Sequence, residues 1–139
     1  MKVVFDTNVI LDVFLIRNPF FITSSQAMGF AEQGKIEGWI GATTVTTIFY
    51  LLEKKSSSQI SARQVKKLLQ IFNVANIHRA VLEDALESGF KDFEDAVLYQ
   101  VAIHNKLDAI LTRNRKDFTS SSIPAYDPKE FLAILESLK

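Results

Sequence analysis

No cysteine occurs in the chain, which excludes disulfide bridges and thiolate metal sites, and its two histidines are too few for the usual histidine-rich zinc arrangements. Any metal the protein holds must be bound through oxygen. Charge of one sign is also lacking. Sixteen Lys+Arg balance sixteen Asp+Glu, so the molecule offers no long-range attraction to a polyanion, and nucleic-acid binding requires a local patch. Long apolar runs are missing too: Val9 to Ile16 is interrupted by Asp12 and falls far short of the roughly 20 residues that cross a bilayer. Met1-Lys2-Val3-Val4-Phe5 meets Asp6 too soon to form the core of a secretory signal. These absences point to a cytoplasmic protein with no membrane span.

What remains is an ordinary globular composition. At 47% hydrophobic and 23% charged over 139 residues, the chain has enough apolar material for one domain, residues 1–139, to bury a core without covalent staples. Val3-Val4-Phe5 reads as a buried strand ending at Asp6, with Thr7-Asn8 opening a helix. A helix is expected over Phe20–Gln33, a strand over Glu37–Gly41, and a helix over Thr44–Lys55. Beyond the Ser56–Gln59 loop, Ser61 is placed to cap a helix over Ala62–Leu69, followed by a third strand over Ile71–Ile77. Helices over His78–Ser88 and Asp92–Asn105, a fourth strand over Asp108–Thr112 and an edge strand over Ile123–Tyr126 follow, and Asp127-Pro128 opens the last helix. Strands alternating with helices imply an α/β fold with a parallel sheet covered on both faces, whose site lies beyond the carboxyl ends of the strands.

Asp6 follows the first strand, and Arg113-Asn114-Arg115-Lys116-Asp117 follows the fourth, so both clusters should reach one sheet edge. Asp92, Glu94 and Asp95 open the intervening helix, with Asp92 and Asp95 on neighbouring positions of one face and Glu94 directed elsewhere. Each acid has a structural reading: Asp6 as a helix cap, and Asp92 with Asp95 as a capping box. In combination, carboxylates gathered at one edge repel one another unless a cation joins them, and Mg²⁺ or Mn²⁺ suits such oxygen ligands. A dication held in this way can orient water and stabilise charge on a phosphate.

Three segments carry a resemblance: Val3-Val4-Phe5-Asp6-Thr7-Asn8-Val9-Ile10-Leu11-Asp12, Asp92-Phe93-Glu94-Asp95-Ala96, and Leu111-Thr112-Arg113-Asn114-Arg115-Lys116-Asp117-Phe118. In order and spacing they resemble the motifs of the PIN-domain family, in particular the bacterial branch of toxin ribonucleases from toxin–antitoxin pairs. The resemblance implies a PIN-like three-layer fold, Mg²⁺ or Mn²⁺ bound by acids, and hydrolysis of single-stranded RNA. It implies Asp6 and Asp95 as metal ligands with Asp92 as a further candidate, Asp117 and Asn114 completing the catalytic site, and Asn8 orienting Asp6 or the substrate; Arg113 and Arg115, beside that site in the chain, are expected either to meet RNA phosphates or to form a solvated charged face. Its implied partners are RNA, an antitoxin protein and a second copy of the chain in a homodimer.

This sequence departs from the fullest family pattern at two positions. Thr47 stands where many relatives carry a glutamate, and Asn114 where many carry an aspartate. The site is therefore two formal charges poorer, which leaves open a PIN-like module that binds RNA or protein without cutting. A haloacid-dehalogenase-type phosphatase also places an aspartate after its first strand, but it requires a second aspartate where Asn8 stands. The aromatics Phe14, Phe20, Phe21, Trp39, Phe49 and Tyr50 are assigned to the core, with no RNA role.

Overall fold

The computed structural model describes residues 1–138. Its centre is β1 (Lys2–Phe5), a run whose last three residues, Val3, Val4 and Phe5, are wholly buried. Where a strand is covered on both faces its residues are apolar without alternation, as Val3-Val4-Phe5 are beyond the exposed Lys2. Around it lie β2 (Glu37–Gly41) and β4 (Ala109–Leu111), with β3 (Asn73–Ala75) outside β2 and β5 (Ala125–Tyr126) outside β4. The five-stranded sheet runs in the order β3-β2-β1-β4-β5, and every pairing is parallel.

Parallel neighbours need crossover connections. These are α1 (Thr7–Phe14), α2 (Phe21–Glu32), α3 (Ala42–Lys55), α4 (Ser58–Ile71), α5 (Arg79–Glu87) and α6 (Phe93–His104), and α7 (Pro128–Ser137) follows β5. Side-chain alternation along the sheet separates two cores. Val3, Phe5 and Leu111 pack with Ile10, Ile48, Leu68 and Phe131 on one face, while Val4 and Ile110 pack with Val81, Val97 and Val101 on the other. The result is the three-layer α/β arrangement expected from the alternation of elements.

Local differences have local causes. Helix α4 begins at Ser58, and its cap is Ser57, whose hydroxyl accepts from the Ile60 amide at 3.2 Å. Ser61, expected as the cap, lies inside the helix, fully buried, and donates to the Ser57 carbonyl at 2.9 Å. Because the amphipathic pattern carries the helix on to Ile71, β3 is shortened to Asn73–Ala75. A 3-10 helix at Arg115–Phe118, within the segment after β4, had no separate signal in the sequence.

Candidate active site

The register of β1 against β4, with Phe5 opposite Leu111, brings the two strand ends level. Asp6 then leaves the sheet with its amide bonded to the Leu111 carbonyl at 2.9 Å. It occupies the cap position of α1, but its side chain does not cap that helix. One carboxylate oxygen instead accepts from the Thr112 hydroxyl at 2.8 Å, and the same Thr112 oxygen accepts from the Asn114 amide at 3.1 Å. A buried threonine just past β4 therefore joins the first acid to the loop carrying Asn114 and Asp117.

Helix α6 delivers the other acids. Asp92 is its N-cap, accepting from the Asp95 amide at 3.0 Å, so the structural reading of Asp92 holds, although the reciprocal bond of a capping box is not made. Asp6, Asp92, Asp95, Asn114 and Asp117 all line one cleft, joined by Asn8 from α1 and Thr47 from α3. Glu94, expected to point elsewhere, also lines this cleft and raises the proton affinity of Asp6. Beside it opens a more apolar pocket that shares Asp6, Thr7, Thr47 and Glu94 and is otherwise walled by residues such as Ile77, Phe93 and Val97.

The electrostatics follow from this gathering. Burial, then the charges of Asp6, Asp92 and Asp117, push Asp95 from its ordinary 3.8 up to about 7, and a hydrogen bond with Asp117 acts in the same direction. Asp6 is also raised, chiefly by burial, against the lowering effect of its Thr112 bond. A set of acids that retains a proton near neutrality is short of positive charge. That is the donor chemistry a hard dication suits. Among the described residues no group of three acidic or histidine side chains is already drawn together to hold a metal ion. Mg²⁺ commonly takes only one or two carboxylates and keeps several waters, so the chemistry of this donor set suits such an ion without a third converging acid.

Of the two arginines expected to contact substrate, one is engaged elsewhere. Arg113 turns into the fold: its Nε lies 3.0 Å from Asp12, and its guanidinium stacks 4.2 Å above the Phe20 ring. Arg115 pairs with Glu130 at the start of α7, where Glu130 also completes a capping box with Asp127, and the Arg115 side chain remains half-exposed. Asn8 accepts a 3.4 Å bond from Arg17. Asp12, in the sequence an interruption of an apolar run and the last residue of the first PIN-like segment but given no role there, is fully buried within α1. A charge at an otherwise apolar helical position is the signal that could have marked it.

Comparison with known proteins agrees with this geometry. The PIN domain family model matches residues 2–116. Ribonuclease VapC1 of Aquifex aeolicus (strain VF5) is 30% identical over 135 residues, covering 94% of this chain and 92% of its own length. A toxin-antitoxin complex from Klebsiella pneumoniae contains a chain 25% identical, with a TM-score of 0.67 over 91% of this chain and 97% of its own. The DNA-bound VapBC2 complex of Rickettsia felis has a TM-score of 0.70 over 91% and 98%, at 12% identity, a likeness of fold alone. Among the described residues no helix is long and apolar enough to cross a membrane. With a family model over most of its length and a relative 30% identical across nearly all of it, the chain belongs to the PIN-domain family.

Proposed function

We propose that the protein is a metal-dependent endoribonuclease that hydrolyses phosphodiester bonds of single-stranded RNA as the toxin of a toxin–antitoxin pair. The observation that carries this reading is the raised proton affinity of Asp95 among Asp6, Asp92 and Asp117, in a cleft at the carboxyl edge of a parallel sheet. Asp6 and Asp95 would hold Mg²⁺ or Mn²⁺, with Asp92 as a further ligand. When bound, the ion supplies charge neutralisation at the phosphate and favours ionisation of water. The chain's own residues set the stage: Thr112 fixes the Asp6 carboxylate, Asp92 holds the first turn of α6, and Asn114 and Asp117 line the same cleft. Water attack at phosphorus forms one P–O bond as the bond to the departing sugar oxygen breaks. In this reading Asn8, which lines the cleft, and the half-exposed Arg115 would meet neighbouring phosphates, whereas Arg113 is engaged with Asp12.

Similarity to ribonuclease VapC1, and to chains found in toxin–antitoxin complexes, supports this reading and an antitoxin partner that covers the acids. A homodimer acting in the cytoplasm completes it. The second reading, a PIN module that binds without cutting, is favoured by Thr47 in the cleft wall where a further acid would strengthen metal binding. Cleavage of labelled single-stranded RNAs with Mg²⁺, Mn²⁺ or EDTA, alongside Asp6→Asn and Asp95→Asn, separates the two. The nuclease reading expects cutting that EDTA abolishes and that each variant lowers by about 100-fold or more, the scale of several kcal/mol of lost charge stabilisation. Absence of cutting together with absence of Mn²⁺ binding would favour the second reading, and cutting indifferent to EDTA and to both substitutions would contradict the first.

A further inference from the structure

Behind the acidic cleft lies a buried charge that the proposed chemistry does not use. Asp12, on α1, is fully buried, and neither of its carboxylate oxygens has a directed hydrogen-bond partner. Its compensation is ionic: Arg113 Nε at 3.0 Å and Arg17 at 3.9 Å. A buried carboxylate with so few hydrogen bonds is poor value for stability, since apolar side chains of similar volume would fill the same space at lower desolvation cost. What the pair does hold is position. Arg113 follows Thr112, whose hydroxyl bonds Asp6 and receives the Asn114 amide, and Phe20 beneath the guanidinium limits its movement.

We propose that Asp12 and Arg113 form a strut that fixes the segment after β4, so that Thr112, Asn114 and Asp117 stand in register with Asp6. Both are positioning residues. Planarity and a fixed charge make arginine suited to this role, because the guanidinium can pair at its edge while stacking on its face. The kinetic consequence rests on the nuclease reading, but the positional one does not.

Two variants test the strut by backbone amide exchange and RNA cleavage. Asp12→Asn removes the charge with little change of shape, and the double variant Asp12→Leu with Arg113→Met replaces the pair by apolar volume, keeping the core filled. Exchange at Asn114 and Asp117, whose amides bond Thr112 Oγ1 and the Asn114 carbonyl at 3.1 and 3.0 Å, is compared with exchange at Ile110 in β4. The strut predicts that both variants speed the two loop amides by about 10-fold or more while Ile110 in the double variant stays protected. It also predicts that kcat falls about 10- to 100-fold with KM little changed, since misplaced groups cost turnover rather than binding. Loop amides unchanged in the double variant, or protection lost equally at Ile110, would overturn it. If the unmodified protein cuts no RNA, the nuclease reading fails, and the exchange data still decide the strut.

Discussion

Asp95 holds a proton at a pH where an ordinary aspartate has long lost it, and the sign of that shift sets a testable pH dependence. Between 3.8 and about 7 the folded chain keeps a proton on Asp95 that the unfolded chain releases. Stability from this group is therefore greatest on the acid side, declines as pH rises toward about 7 and is level above it. Asp6, also raised, acts in the same direction. Thermal unfolding in EDTA from about pH 5 to pH 8 should show this fall, and Asp95→Asn should flatten it. An unchanged slope in the variant would mean that Asp95 is not the group responsible. At this scale the sequence was partly legible. Asp6, Asp92 and Asp95 could be picked out because chain position put them at element ends, Asn114 and Asp117 through the family resemblance, and the structure gathers all five in one cleft. The direction of Arg113 could not, since its partner Asp12 lies far off in sequence on α1 and only the fold reveals that it is buried.

Elements with strong end signals were the readable ones. Asp127-Pro128 opens α7 with a complete capping box, Asp92 caps α6, and the glycine-punctuated β2 spans Glu37–Gly41 as expected. Where two signals competed, the boundary moved: Ser57 and Ser61 both suit a cap, and the helical stripe ending at Ile71 took residues from the neighbouring strand. The cap at Asp92 also yields a way to separate structure from chemistry. Asp92→Ala should lower stability by about 1 kcal/mol through loss of the 3.0 Å bond to the Asp95 amide, whereas Asp92→Asn, which can still accept that bond, should lie within a few tenths of the original. Urea unfolding of both measures this. Equal losses in the two variants would show that charge, rather than capping, is what α6 requires.

Across the whole molecule, a balanced net charge conceals a local imbalance. Sixteen positive and sixteen negative side chains cancel in sum, yet the carboxyl edge of the sheet collects acids whose mutual repulsion is relieved by a proton on Asp95. Composition cannot show this, because it arises when β1 and β4 pair in register and α6 points its first turn at their ends. The parallel sheet and its edge were legible from alternating strands and helices, while the strand order β3-β2-β1-β4-β5 required tertiary contacts that no local pattern encodes. The central claim is that this edge is built for a divalent cation in place of a proton. Calorimetric titration of the intact protein with Mn²⁺ at about pH 6 and pH 8, in buffers of different ionisation enthalpy, tests it directly. Binding should release protons at the lower pH and far fewer at the higher, and should be tighter at the higher, because ligation requires deprotonated carboxylates. Asp6→Asn and Asp95→Asn should each weaken it. Absence of Mn²⁺ binding at both pH values, or binding that neither substitution alters, would contradict the account.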